Sequence, residues 1–506
     1  MVNNKRDAAL SGPSGNLNKR MVSGFSWVTV ERWTKRVLSL GVIAILARLL
    51  SKEDFGLVAA AAILVDYFST FVGQGLGLAV IQHDNLEAEH LNAMFWLNMA
   101  FAVPLTATAF VFAPYLSGWI HSPNAAPVVR WLAIGLVLQA FGRVQFALLT
   151  RQMRFQVIAF VNVLGSVAGA VAGVTMAFMG LGVWSLVGQQ LIASCFRISI
   201  LFWVTKWRPG INVSKRHIRE LYGFSIFVFL DQQVLFIYRR MDEALVAGFS
   251  GVTGLGLYSV AKRIVLMLQD SLEGPLGTVF IPAFSRLQGS PQQLKETAET
   301  SFRMSCLLVF PCFLGLTALA PEAVNIIFGP KWVDAIPYVQ ILAIASMIIV
   351  FHLVIHSIFL AVGRPLLNLV VNSGRAVLSL VLLPIGALFG GLGIPAAVAI
   401  RNMIAAALDV FIFKKKVKEV PVRFLGNIYC PLVASAIMAA AARMAANLIS
   451  DWNMPAAAIL GTVIGVGTYA LLIFVLDREL FSKSIASFKE ICLPGYIKLR
   501  RLFIHT

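Results

Sequence analysis

The chain has 506 residues, of which 58% are hydrophobic and only 13% charged, and its mean hydropathy is +0.80. A soluble globular chain carries roughly 25% charged residues, so this composition excludes a water-soluble domain and implies an integral membrane protein. The net charge of +18 raises nucleic acid as a partner, but the basic residues cluster beside apolar segments, where anionic membrane lipids attract them. No nucleic-acid partner is expected.

Hydrophobic runs of about 20 residues, the length that carries an α-helix across about 30 Å of hydrocarbon, recur along the chain. They fall near 22–47, 55–80, 91–113, 127–149, 155–179, 183–204, 221–247, 255–281, 301–320, 337–361, 366–389, 394–413, 426–449 and 455–476. The pattern predicts an all-α polytopic membrane protein with fourteen transmembrane helices. A membrane β-barrel would instead need strands of about ten alternating residues, which these Ala, Leu, Gly and Val runs lack. The polar start leads into a charged helix with no apolar h-region, so no removable signal peptide is expected.

The predicted organisation is a cytoplasmic segment 1–21, an N-lobe 22–204 (helices 1–6), a cytoplasmic linker 205–220, a C-lobe 221–413 (helices 7–12), a cytoplasmic loop 414–425, helices 13–14 within 426–476 and a basic tail 477–506. The tail mixes Leu480, Phe481 and Ile485 with Lys483 and Lys489, which suits a helix on the membrane surface. Lys and Arg concentrate in the segments assigned to one face, among them Arg151, Arg154, Lys206, Arg208 and Lys414–Lys416. The positive-inside rule therefore puts both termini in the cytoplasm.

Helix 1 carries Glu31, Arg32, Lys35 and Arg36 within its apolar run. A basic residue at a helix centre costs about +2.5 to +3.5 kcal/mol on insertion scales, so this cluster must face water or polar cargo. Glu31 and Lys35 form an i,i+4 pair that neutralises itself, whereas Arg32 and Arg36 share a face and can grip phosphate bidentately. Lys35, Arg143 and Arg375 complete the candidate diphosphate-binding set, although the helix positions of Arg143, Arg197 and Arg375 also suit snorkelling.

Helix 2 carries Asp66, a carboxylate that must be paired, protonated or coupled to an ion. Asp231 in helix 7, with Asp270 and Glu273 in helix 8, are further ion-coupling candidates. Asp242 or Glu243 is expected to pair with Lys262 or Arg263 across the hairpin. His352 and His356 are one turn apart but lack a third ligand, so no metal site is expected. The five cysteines have neither metal-ligand spacing nor a disulfide framework. No cofactor or catalytic residue is indicated.

Offsetting the chain by 200 residues aligns Ala47, Gly56, Leu57, Ala61 and Val65 with Ala247, Gly256, Leu257, Ala261 and Val265, and Leu76, Gly77 and Ile81 with Leu276, Gly277 and Ile281. The match predicts two six-helix lobes in parallel pseudo-repeat around a central cavity, the arrangement of alternating-access transporters.

Several stretches resemble the polysaccharide transporter family of the multidrug/oligosaccharidyl-lipid/polysaccharide exporter superfamily. These are LARLLSKEDFGL (Leu46–Leu57), GLGLAVIQ (Gly75–Gln82), MDEALVAGFSGVTGLGLYSVAKR (Met241–Arg263), IPAFSRLQ (Ile281–Gln288) and IIFGPKWVDAIPYVQILA (Ile326–Ala343). Arg240-Met241 departs from the Asn-rich stretch of many relatives, which leaves the role of Asp242 open. The resemblance implies two six-helix bundles, two further helices and export of undecaprenyl-diphosphate-linked sugar units across a bacterial inner membrane. It also implies a polysaccharide polymerase and co-polymerase as partners.

A drug or cation exporter of the superfamily would favour acidic cavity walls over a basic cluster, whereas a lipid II flippase shares the anionic cargo. A membrane-embedded polymerase would need catalytic groups on a sizeable outer loop, and every outer loop predicted here is short.

Overall fold

The computed structural model describes residues 17–72, 80, 87–212, 215–364, 366–417, 422, 424, 426, 428–449 and 453–476, and for 17–26 and 215–231 the backbone alone. Among the described residues the chain is helical, with no strand. In order the helices are α1 (Leu17–Leu49), α2 (Lys52–Ser69), α3 (Ala88–Trp119), α4 (Ala125–Arg151), α5 (Phe155–Phe178), α6 (Val183–Thr205), α7 (Lys215–Arg286), α8 (Pro291–Ala318) and α9 (Ala320–Ile327). After a 3-10 turn (Pro330–Ala335) come α10 (Ile336–Ser346), α11 (Ile349–Ala361), α12 (Leu366–Ala387), α13 (Gly393–Lys416), α14 (Tyr429–Asn447) and α15 (Met454–Leu476).

Each of the fourteen expected segments falls on a helix. Eleven described helices are long and apolar enough to cross a membrane; α1 carries Glu31, Arg32, Lys35 and Arg36 along its apolar run, and the 18-residue α2 carries Lys52, Glu53 and Asp54 in its first turn and Asp66 in its last. Their flanks present Val111, Phe112, Tyr115, Phe178 and Met179 outward, an apolar surface that hydrocarbon accepts and water does not. This is a multi-pass membrane protein.

The helices expected at 221–247 and 255–281 are both present; they share the label α7 and are separated by a kink at Gly251, whose φ of 64° is a left-handed conformation that glycine adopts freely, and the chain turns back there so that Tyr258 reaches Asp242. The boundaries differ from expectation in two places, the interruption of 337–361 and the early end of the second helix. Segment 337–361 is interrupted between α10 and α11. Helix α2 stops at Ser69 because the hydroxyls of Ser69 and Thr70 bond back to the carbonyls of Asp66 and Tyr67, 2.7 Å each, in competition with the helix ladder. Residues 73–79, which include the Gly-rich run, and the tail from 477 lie outside the described residues.

The chain divides into two compact units, one comprising residues up to Val260 with Ile327–Asp334 and Ala376–Ile394, the other Ala261–Ile326, Ala335–Arg375 and the chain from Pro395. In the first, α5 packs along α1 and α6, α4 along α3 and α6, and α2 against α4. Its core gathers Leu91, Met94, Phe95, Val144 and Leu148. In the second, α8 packs against α10, α11 and α14, and α14 against α15. There α15 approaches α14 closely at Gly461, where an added Cβ would lie 2.8 Å from the carbonyl oxygen of Ala442, the small-residue packing that membrane helices use.

The first unit contains a tightly built corner. Ser51 caps α2 in a capping box with Asp54. The last carbonyls around the end of α1 lack intrahelical donors, and the 3-10 turn supplies them. Trp332 Nε1 donates to the Ala47 carbonyl at 2.9 Å, and Lys331 Nζ donates to those of Arg48 and Leu50 at 2.7 and 2.6 Å. Lys52 closes the corner on Asp334 at 2.5 Å, and the buried Trp332 ring meets Phe55 edge-on at 5.2 Å.

Gly56 of α2 and Gly256 of α7 then cross. A Cβ on Gly56 would lie 1.9 Å from the carbonyl oxygen of Val252, and one on Gly256 would lie 2.0 Å from that of Lys52. The contacts are reciprocal at the 200-residue offset, 56 on 252 and 256 on 52.

Candidate functional site

Helix α1 runs unbroken from Leu17, so the four charges belong to its interior. Glu31 is almost covered: Lys35 approaches it at 3.5 Å, and Asn162 of α5 donates to it at 2.8 Å. One acid thus offsets one lysine. Arg32 is exposed, while Arg36 is half-buried with its guanidinium 5.3 Å from the centre of the Trp33 ring. Neither arginine has a carboxylate partner among the described residues.

Asp66, in the last turn of α2, receives Arg240 Nη2 at 2.5 Å, and the same guanidinium holds Glu243 through Nη1 at 2.5 Å. Thr70 accepts from Gln233 at 2.8 Å, and Tyr67 packs on Phe236, so α2 is zipped to the first half of α7. Asp242, buried, accepts the Tyr258 hydroxyl at 2.6 Å.

Arg143 is half-buried in α4 and Arg197 covers Gly165 of α5. Asp231 lies in α7, with its side chain outside the described residues. Asp270 is exposed and has no partner among the described residues, and Glu273 accepts from Gln269 at 2.6 Å.

In the second unit Arg375 of α12 does not snorkel. It is buried and ion-paired with Asp409 of α13, itself 2% exposed, and His352 Nδ1 stands 3.8 Å from the same carboxylate. The His356 ring packs on His352 at 5.3 Å. Its charge compensated, Arg375 differs in kind from Arg32 and Arg36. Sequence reasoning passed over Asp409, although a lone carboxylate in an apolar run is the signal that singled out Asp66. Glu322, buried, is held by Arg443 of α14 at 3.0 and 3.1 Å.

A cavity of about 800 Å³ opens where α1, α5 and α6 meet, lined by Trp27, Val30, Glu31 and Thr34 of α1 together with Arg154, Phe160, Val163, Trp203 and Lys206. Positions 27, 30, 31 and 34 form one helical stripe. Arg32, Lys35 and Arg36 do not line it. Arg154 and Lys206 do, and as sequence they registered only as loop charges.

Residues 45–337, more than half of the chain, match the family described as "Polysaccharide biosynthesis protein". The chain belongs to this family. It is 28% identical over 331 residues, 65% of its length and 67% of the relative's, to the succinoglycan biosynthesis transport protein ExoT of Rhizobium meliloti. It is 22% identical to the lipopolysaccharide biosynthesis protein WzxC of Escherichia coli, over 79% of this chain and 82% of that one. Among solved structures it shares its fold with a lipid II flippase, MurJ, at a TM-score of 0.70 and 13% identity, over 89% of this chain and 99% of the other. A multidrug transporter of the multidrug/oligosaccharidyl-lipid/polysaccharide exporter superfamily gives 0.55 at 16% identity, over 76% and 95%.

Three of the stretches that carry the family resemblance, 46–57, 241–263 and 326–343, meet at the corner around Trp332 and Gly56. In this chain those stretches supply carbonyl capping and close backbone approach.

Proposed function

We propose that this chain is a flippase that carries undecaprenyl-diphosphate-linked oligosaccharide repeat units across the bacterial inner membrane for exopolysaccharide or O-antigen synthesis. The observation that carries the reading is the pair Arg32 and Arg36, cationic and without a carboxylate partner among the described residues, inside a helix otherwise apolar enough to span a bilayer. At 1.5 Å per residue, Arg36 lies about 20 Å and Arg32 about 26 Å below Leu49, so both fall within a hydrocarbon layer about 30 Å thick. A diphosphate supplies the countercharge they lack, and the polyprenyl tail stays in lipid. Membership of the family and the transport and flippase names of its relatives support the reading. No chemistry on the cargo is required, so the chain acts as a transporter and not as an enzyme.

The two faces of the membrane gain access to the headgroup in turn, with both termini in the cytoplasm. Arg143 is a further cation for the headgroup. Asp270, exposed and without a described partner, leads the ion-coupling candidates over Asp66, which is committed to Arg240, and over Asp231 and Glu273. Released units pass to a polymerase and co-polymerase.

The test is transport of a fluorescent undecaprenyl-diphosphate oligosaccharide in proteoliposomes. Arg32→Gln/Arg36→Gln loses at least ten-fold in rate, the loss of about 1.5 kcal/mol or more per charged hydrogen bond, and Arg32→Lys/Arg36→Lys retains part of it. Undiminished transport by the double Gln variant would remove the proposal.

A further inference from the structure

The cavity at α1, α5 and α6 has a second chemistry, distinct from that of the α1 arginines. Its lining is mostly apolar and aromatic, with Phe160, Val163 and the rings of Trp27 and Trp203, and it includes the cations Arg154 and Lys206 and the acid Glu31. Those two cations sit at adjoining helix ends, Arg154 at the start of α5 and Lys206 just beyond α6. Neither has a partner among the described residues, and the acid of the lining, Glu31, is taken up by Lys35 and Asn162. Lys206 is held at φ 54°, and Met153, beside Arg154, at φ 54°. Left-handed backbone at a non-glycine residue is strained, and such strain gathers at ligand clamps. Tryptophan bodies at the level of two cations mark the membrane–water boundary.

We propose that this cavity is a binding site for an anionic glycerophospholipid of the bilayer, its phosphate on Arg154 and Lys206 and an acyl chain along Phe160 and Val163. Charge complementarity and the apolar wall select this occupant. A sugar-bearing headgroup would call for a polar lining, and zwitterionic lipid would leave the paired cations half compensated. The site itself needs only that the chain spans a membrane; its assignment to the cytoplasmic leaflet rests on the orientation proposed above.

The probe is phosphatidylglycerol against phosphatidylcholine, offered in equal amounts to the purified full-length protein, with retained lipid counted by native mass spectrometry. Each cation beside an anionic lipid contributes about five-fold, so the wild type prefers phosphatidylglycerol by up to about thirty-fold and Arg154→Gln/Lys206→Gln by none. Arg154→Lys/Lys206→Arg keeps the preference. Lys206→Gly loses about five-fold while gaining stability, because glycine accepts the left-handed backbone, and this separates charge loss from misfolding.

Equal retention of both lipids by the wild type overturns the site. Undecaprenyl diphosphate displacing phosphatidylglycerol one for one assigns the cavity to the cargo instead, and protection by inorganic phosphate alone makes it a phosphate site without a lipid chain. Arg32→Gln/Arg36→Gln should keep lipid selectivity while losing transport, so failure of the flippase reading and failure of this one give different results.

Discussion

Replacing Gly56 with alanine tests the crossing of α2 and α7 directly. The new methyl carbon would lie 1.9 Å from the Val252 carbonyl oxygen, whereas ordinary contact begins at 3.4 Å, so the neighbouring backbone must retreat by about 1.5 Å (3.4 − 1.9). The obstacle is a main-chain carbonyl and cannot be relieved by a rotamer change. Overpacking of this kind costs about 1–3 kcal/mol, which exceeds the gain of up to about 1 kcal/mol that alanine brings to a helix interior. Gly41 of α1 isolates that gain, because a methyl carbon added there would have nothing within 4 Å: Gly41→Ala is neutral or stabilising.

Because detergent-solubilised membrane proteins commonly unfold irreversibly, the assay is the half-life of monodisperse protein at a fixed temperature, which reports the unfolding barrier. Gly56→Ala and Gly256→Ala each shorten it. The double variant costs less than the sum, because one separation of the helices relieves both clashes. A Gly56→Ala half-life equal to that of Gly41→Ala would refute the reasoning.

Breaking the buried pair in the second unit with Asp409→Asn leaves Arg375 uncompensated and costs about 3–5 kcal/mol; the same half-life measurement should show the loss, and Arg375→Met/Asp409→Leu should recover most of it. Trp332→Phe keeps the ring against Phe55 but strands the Ala47 carbonyl, a loss of about 1–3 kcal/mol readable as a lower apparent Tm in detergent. Asp66→Asn should cost about 1 kcal/mol or less, since the carboxylate is 42% exposed and exposed pairs contribute little; a loss of several kcal/mol in the same melt would contradict this.

The helices were legible because hydrocarbon thickness imposes a length and a composition that survive in sequence: α4 to α6 begin and end within two residues of their expected limits. The two helical stretches of α7 were legible in the same way, as apolar runs either side of Gly251, where the backbone turns. The Glu31–Lys35 pair was readable from i,i+4 spacing. Arg240 reaching Asp66 from 174 positions away, Asp409 meeting Arg375 and the meeting of Arg154 and Lys206 at one cavity were not, because pairing between helices depends on rotation and depth, which apolar runs leave open. The arginines of α1 stood out for an energetic reason independent of partners, the cost of a charge in hydrocarbon.

The crossing at Gly56 and Gly256 has the self-complementary pattern of an isologous dimer interface, in which position i meets j and j meets i, yet both halves are encoded in one polypeptide. Neither glycine can drift to a larger residue without the carbonyl of Val252 or of Lys52 yielding, so a change tolerated on one segment sets what the other may become. Replacing the segment around Gly56, or the one around Gly256, with that of a distant homologue should therefore fail at this point first.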